Sequence, residues 1–114
     1  MKFTFVMIAA TVLALTSHAM ADPIEGVWKR PNGILVKIAP CANTYCATAA
    51  SGPHIGGHAG KLGSTIGGKY TGVLTDLENG NTYSGKGSIS GTTLIISGCI
   101  LGGLFCKSES WERQ

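Results

Sequence analysis

Two short-spaced pairs of cysteines constrain the fold of this 114-residue chain more than any other feature of its sequence. The pairs are Cys41 with Cys46 and Cys99 with Cys106. In an oxidising compartment disulfides are the default expectation, although four cysteines allow three pairings. Neither spacing matches the Cys-x-x-Cys of thioredoxin-like redox sites, and a zinc site would need shorter loops and a reducing compartment. We therefore expect two structural disulfides.

The local sequence favours one of the three pairings. The first cysteine pair is symmetric about Asn43-Thr44, and the second is symmetric about Gly102-Gly103, where glycine accepts positive φ at both positions. A two-residue hairpin turn at each dipeptide would place the cysteines of a pair opposite each other, with Cα atoms about 4.5 to 5.5 Å apart. That separation suits a disulfide. We predict one disulfide within each pair.

The N-terminus predicts export, which would supply the oxidising compartment. Lys2 precedes an apolar run over residues 3–15, and Ala19-Met20-Ala21 follows a short polar stretch. This is the order of a cleavable signal peptide, so residues 1–21 are expected to be removed before Asp22. A membrane anchor is the alternative, but the apolar run is shorter than the ~20 residues that span a bilayer. We expect a soluble mature chain in the periplasm of a Gram-negative bacterium, or secreted.

Residues 22–114 are enough for one small domain and too few for two cores. Without Lys2, the nine Lys and Arg residues fall to eight against six Asp and Glu, and no basic cluster is present. Nucleic-acid binding is therefore not expected. No transmembrane segment is expected in the mature chain.

Most of the mature sequence alternates as strands do, and helical periodicity is absent. Turn signals at Pro31-Asn32-Gly33, Asn79-Gly80 and Gly91-Thr92 separate the runs, and an Asn79-Gly80 hairpin would place Tyr83 opposite Asp76. Predicted strands cover residues 24–30, 34–39, 45–50, 69–76, 82–90, 93–100 and 106–112. We predict an all-β fold, a small antiparallel up-and-down β-barrel of seven to eight strands, because closure removes exposed edges. A flattened sandwich is the alternative.

A glycine-rich segment over residues 51–68 interrupts this pattern. It contains seven glycines in eighteen residues and shows neither helical nor strand periodicity. We expect a flexible loop with at most a short extended piece, and its His54, His58 and Lys61 are candidate contacts for a ligand or partner. The histidines are four residues apart, as zinc ligands on a helix are, but glycines disfavour a helix here and no third ligand lies nearby. No metal and no cofactor is expected.

Gly26 and Trp28 near the start, with Trp111 and Arg113 near the end, resemble the lipocalin pattern of Gly-x-Trp on the first strand and a basic residue near the last. The resemblance implies that the arginine lies over the first tryptophan and closes the barrel, a cation-π contact. A fuller set of residues resembles the exported bacterial proteins of the domain of unknown function 2147 family: Gly26, Trp28, Pro40-Cys41, Cys46, Asp76, Gly80, Thr82-Tyr83-Ser84, Gly98-Cys99, Trp111 and Arg113. This resemblance implies a lipocalin-like envelope domain and brings no reaction with it. The sequence departs from the family pattern at Leu77 and Asn81, which puts the detail of that turn in question.

No arrangement of residues indicates catalysis. The carboxylates include Asp76 and Glu78 beside a predicted turn, where acidic residues usually bond to the backbone. No paired acid and base and no phosphate-binding motif is evident. We expect a non-enzymatic protein whose barrel mouth and glycine-rich loop bind a small molecule or lipid fragment. The alternative is a module that binds an envelope protein, such as a hydrolase inhibitor or complex accessory, and an enzyme of an unrecognised kind ranks last.

Overall fold

The structure is a computed structural model, and it describes residues 22–114. The predicted signal peptide and its cleavage site before Asp22 lie outside the described residues, as does the Ala19-Met20-Ala21 motif. Eight strands are present: β1 Gly26–Lys29, β2 Leu35–Cys41, β3 Thr44–Ala49, β4 His58–Ser64, β5 Lys69–Thr75, β6 Thr82–Ser90, β7 Thr93–Ile100 and β8 Phe105–Arg113. Among these residues no helix is long and apolar enough to cross a membrane.

The strands form one closed antiparallel barrel in which each strand pairs with its neighbour in sequence. β1 pairs with β8 to complete the ring, with Trp28 opposite Arg113 and Lys29 opposite Glu112. This order confirms the predicted all-β up-and-down barrel. It leaves no sandwich, because the first strand meets the last.

The β6–β7 turn lies where the sequence places it. The β7–β8 turn is centred on Gly102-Gly103 as predicted, but it has four residues instead of two, because Ile100 faces Phe105. Ser90 faces Thr93 across Gly91-Thr92. Cys99 faces Cys106 directly, with Cα atoms 4.1 Å apart. The β7–β8 connection is a short 3₁₀ turn at Leu101–Gly103, and Gly102 and Gly103 have φ of 68° and 94°. Glycine is needed there because side chains disfavour this backbone conformation.

The predicted turn at Asn43-Thr44 is displaced by one residue. The structure pairs Cys41 with Thr44, so the two loop residues are Ala42 and Asn43, and Ala42 adopts a φ of 55°. Cys46 lies diagonally across from Cys41 instead of directly opposite. The Cα atoms are 5.8 Å apart, and the pair still forms a disulfide. The predicted partners are correct, although the geometry argument for this pair was wrong.

The predicted two-residue turn at Asn79-Gly80 is also wrong. Thr75 faces Thr82, so the loop is longer, and Tyr83 lies opposite Leu74 instead of Asp76. The cause is Asp76, whose carboxylate accepts hydrogen bonds from the Glu78 N–H at 2.8 Å and the Asn79 side-chain amide at 3.3 Å. This bonding organises a wider turn, and it matches the structural role expected of Asp76.

The glycine-rich segment contains a complete strand, which corrects the prediction of a loop over residues 51–68. Only the parts on either side of β4 are loops. Gly60 and Gly63 interrupt the alternation of side-chain size on β4, but an added Cβ at Gly60 would lie 2.9 Å from a Leu74 methyl group. Glycine here makes room for a core side chain on the next strand. Residues 58–64 are therefore part of the barrel wall.

The buried interior is concentrated toward one end of the barrel. Its fully buried large side chains are Trp28, Tyr70, Ile24, Ile38, Leu62 and Leu94. We call this the closed end; it carries the β2–β3, β4–β5 and β6–β7 turns. The opposite end, which carries the β1–β2, β3–β4, β5–β6 and β7–β8 connections, is the open end.

Candidate functional site

The closed end is sealed by the segment that precedes β1. Ile24 and Trp28 are fully buried, and the Trp28 indole N–H donates a 2.9 Å hydrogen bond to the Ile24 carbonyl. The Arg113 guanidinium lies 4.3 Å from the centre of the Trp28 ring and donates to the carbonyls of Glu25, at 3.0 Å, and Pro23. The contact that the lipocalin resemblance implies is therefore present. An added Cβ at Gly26 would approach Arg113 to 2.9 Å.

Tyr70 and Asp22 complete the closed end. The Tyr70 ring is 2 % exposed, and its hydroxyl donates to the Asp22 carboxylate. Burial and the adjacent carboxylate raise the pKa of Tyr70. Burial works to raise the pKa of Asp22, but hydrogen bonds from Tyr70 and the Ile24 N–H outweigh it, and the pKa lies below its ordinary value. The Asp22 carboxylate and the Arg113 guanidinium are therefore both engaged in hydrogen bonds within the closed end.

The open end contains a cavity of about 310 Å³, which we call the cup. Its base is apolar and includes Val36, Leu74, Ile96 and Trp111. Its wall and rim are polar, with contributions from the turns that surround the mouth: Arg30, Asn32, Ser51, His54, Asp76, Glu78, Tyr83, Lys107 and Glu109.

An ion pair spans the cup wall between β1 and β8. The Arg30 guanidinium donates to both oxygens of Glu109, at 2.9 and 2.8 Å, and the Trp111 indole N–H donates to Glu109 at 2.7 Å. The hydrogen bonds from Arg30 lower the pKa of Glu109, and the Glu109 carboxylate raises the pKa of Arg30. Both side chains are about one-third exposed. The result is a fixed, water-accessible pair of charges above an apolar base.

The three candidate residues of the glycine-rich segment do not form one site. His54 lies on the rim of the cup. His58 and Lys61 lie on β4 and border a groove on the outer surface of β3, β4 and β5. Among residues 22–114 no group of three or more potential metal-ligating side chains is present.

Arg30 and Glu109 were not singled out from the sequence, although they dominate the cup. They are 79 positions apart, and no local motif links them. One signal was available: Lys107, Glu109 and Trp111 alternate on β8, so two charged side chains share the barrel-facing side with a tryptophan. Charged residues on an inward face are uncommon unless they are paired or line a cavity.

The two cup carboxylates with defined contacts, Glu109 and Asp76, are both engaged in hydrogen bonds. A general acid at neutral pH needs a raised carboxyl pKa, whereas Arg30 lowers that of Glu109. Asp76, the other carboxylate near the mouth with defined contacts, is engaged by its own turn. The residues at hand can hold a polar group by hydrogen bonds and an apolar group by contact with the base.

Comparison with curated proteins and with solved structures gives no significant match. A family model described as an uncharacterized protein conserved in bacteria (DUF2147) matches residues 56–113. The match runs from just before β4 to the last residue of β8, and so includes the Cys99–Cys106 hairpin and Arg113. It confirms the resemblance inferred from the sequence: the chain belongs to this bacterial family of uncharacterized proteins.

Proposed function

We propose that the protein is an exported, non-enzymatic binding protein whose cup holds a small molecule or a fragment of a lipid. The observation that carries this proposal is the asymmetry of the interior. One end is filled and fully paired, whereas the other leaves about 310 Å³ over an apolar base with a charged pair at its wall. Eight-stranded barrels of this topology can hold one small ligand.

The size and lining of the cup favour a compact amphipathic ligand. Ligand pockets run from roughly 300 to 1,000 Å³, so the cup is at the lower limit and suits a ring or short chain better than a complete acyl lipid. Trp111 and Ile96 would contact the apolar part. A polar group would lie at the mouth, within reach of Arg30 and Glu109.

Export is supported by independent features. The two disulfides are consistent with a periplasmic or extracellular location. The bacterial family and the signal-like order of residues 1–21 agree with this. An envelope location would expose the cup to periplasmic metabolites and to lipid fragments.

Native mass spectrometry tests the proposal. The protein, expressed with its N-terminal residues and purified from periplasm, is incubated with periplasmic small-molecule extract and with total lipid extract. We expect a small-molecule adduct that Ala49→Leu abolishes, because Ala49 lines the cup and is 5 % exposed. The neighbouring outward residue supplies the control, and Thr48→Leu should keep the adduct.

Two outcomes would count against the cup. Either no adduct forms with any extract, or an adduct forms and survives Ala49→Leu with the protein still folded. A co-purifying protein in place of a small adduct would favour the alternative of an envelope-protein module.

A further inference from the structure

β8 has a free edge along most of its length. It pairs with β7 from Phe105 to Glu112, but it pairs with β1 only at Glu112 and Arg113. β1 ends at Lys29, and the chain then turns away through Pro31. Among residues 22–114, no strand is paired with the other side of β8 between Phe105 and Trp111. Such an edge can accept another strand.

Two hydrogen bonds identify the backbone groups that point to this edge. The Arg113 N–H donates to the Thr92 carbonyl, on the β7 side, whereas the Gln114 N–H donates to Val27, on the β1 side. Because backbone direction alternates along a strand, the even-numbered residues Cys106, Ser108 and Ser110 direct their N–H and C=O groups to the free edge. All three residues are exposed.

The sequence of this edge is complementary to itself when read backwards. Residues 105–111 read Phe-Cys-Lys-Ser-Glu-Ser-Trp, with Ser108 at the centre. In an antiparallel pair of two such strands centred on Ser108, Lys107 faces the partner's Glu109 and Phe105 faces the partner's Trp111. The outward face carries only small residues. Cross-strand pairs of opposite charge are stabilising, so the two Lys107–Glu109 pairs are the contacts that favour this register. Trp111 is 5 % exposed and offers little surface to the partner's Phe105.

The register is specific. Hydrogen bonding requires even-numbered residues to face even-numbered residues, so the twofold axis must pass through a residue position. A centre at Lys107 or at Glu109 would place two like charges opposite one another. A centre at Cys106 would place Lys107 opposite the partner's Phe105, and a centre at Ser110 would place Glu109 opposite the partner's Trp111. Ser108 is therefore the one centre in this stretch that pairs opposite charges.

We propose that two copies of the protein associate through their β8 edges in this register, which goes beyond the proposed binding function. About six interchain hydrogen bonds would form, two for each of three residue pairs. The partner's Lys107 would lie beside Glu109, so each copy would add a cation to the wall of the other's cup. Glu109 can accept that bond as well as those from Arg30 and Trp111, because an ionised carboxylate offers about four acceptor positions.

Sedimentation equilibrium at low salt tests the pairing with protein purified from periplasm. An interface of this size is expected to be weak, with a dissociation constant of about 10 to 500 μM. Ser108→Pro should abolish the dimer, because proline lacks the N–H at the centre of the edge. Within a single copy that N–H has no strand partner, so its loss should affect the monomer little. Ser97→Ala is the matched control: it removes the same 2.6 Å hydroxyl contact between Ser97 and Ser108 but leaves the edge intact.

Charge reversal tests the register. In the Lys107→Glu variant the new carboxylate of each copy faces Glu109 of the other copy, so both charge pairs become repulsive. The dissociation constant of the dimer should rise at least about tenfold. Lys86→Glu makes the same charge change on β6, which is paired on both sides, and should leave the dissociation constant unchanged. A synthetic peptide of residues 105–111, with serine replacing Cys106, should compete with dimerisation.

Wild-type protein that remains monomeric at about 1 mM and low salt overturns the proposal. A dimer that resists both Ser108→Pro and Lys107→Glu, in variants that circular dichroism shows to be folded, overturns it equally. Neither result decides whether the cup binds a ligand, because its adduct is measured separately by native mass spectrometry with the Ala49→Leu variant. Failure of the dimer and failure of the binding function are thus distinguishable.

Discussion

The two ends of the barrel use the same three kinds of side chain in opposite ways. Each end combines a tryptophan and an arginine with a carboxylate: Trp28, Arg113 and Asp22 at the closed end, and Trp111, Arg30 and Glu109 at the open end. At the closed end these groups bond to backbone carbonyls or to Tyr70, and the space between them is filled. At the open end they bond to one another around a cavity. The difference lies in what surrounds the polar groups, not in which residues are used.

Replacing the two tryptophans by alanine should separate the ends most strongly. Trp28 is fully buried, so Trp28→Ala should lower the free energy of unfolding by about 3 to 5 kcal/mol. Trp111 already borders a cavity, and Trp111→Ala should cost about half as much, since fewer packed neighbours are lost. Urea denaturation followed by far-UV circular dichroism measures both. Equal losses would mean that the cup is as tightly packed as the closed end.

Removing the two disulfides one at a time compares how much each contributes to the free energy of unfolding. Cys41–Cys46 staples the β2–β3 turn at the closed end, and Cys99–Cys106 staples the β7–β8 hairpin at the open end. Loops this short give about 2 to 2.5 kcal/mol in the chain-entropy model, so each double serine variant should lose a similar amount of stability. Hydrogen exchange should then show added opening at the Cys99 hairpin, whose tip residues are exposed. If only one of the two variants lost stability, native contacts and not chain entropy would dominate the contribution of the disulfides.

Replacing Tyr70 and Tyr83 by phenylalanine should give a smaller difference in stability between the two ends. Tyr70→Phe removes the hydroxyl that donates to Asp22 and should cost about 1 kcal/mol. Tyr83 lines the cup, and Tyr83→Phe should change the free energy of unfolding by less than about 0.5 kcal/mol. Thermal and urea unfolding of the two variants provide the test. A larger effect at Tyr83 would reveal a structural role for the cup wall.

The Arg30–Glu109 pair should give the smallest effect, and it depends on pH. Glu109→Gln should cost about 0.5 to 1 kcal/mol at neutral pH, because the pair is partly exposed to water. Since the folded state lowers the pKa of Glu109, its stabilisation is full above the unfolded pKa of about 4.3 and is lost as pH falls through the lower folded value. Unfolding measured from pH 7 to pH 2.5 should show wild type and variant converging. A constant difference at all pH values would assign the effect to packing instead of charge.

Strands could be predicted from the sequence where apolar and polar side chains alternate. They could not be predicted where glycines interrupt that alternation. β6 and β7 begin and end where predicted, because the turn dipeptide Gly91-Thr92 separates them. β4 was missed because Gly60 and Gly63 erase the period of two. The space that Gly60 leaves is used by Leu74 on the neighbouring strand, and this cross-strand compensation is invisible in local sequence. Ala42, with its positive φ, likewise hid the true position of the β2–β3 turn.

The closed end was accessible to sequence reasoning, whereas the cup was not. Gly26, Trp28 and Arg113 resemble the lipocalin pattern, so their contact could be expected in advance. The Arg30–Glu109 pair depends on how far β1 extends before Pro31 and on the register between the first and last strands. Both are properties of the closed ring and not of any one segment. His54 was selected for its chemistry, and its position on the cup rim follows from the β3–β4 loop.

The up-and-down topology also determines the order in which the chain can assemble. Seven of the eight strand pairings join neighbours in sequence, and only the β1–β8 seam joins distant segments. Each hairpin can form locally at small entropic cost, whereas the seam must bring together residues some 85 positions apart, as Trp28 and Arg113 are. The seam should therefore form last during folding. Stacking of Arg113 on Trp28 then marks the completion of the ring, and in a Trp111→Phe variant the fluorescence of Trp28 can time the step.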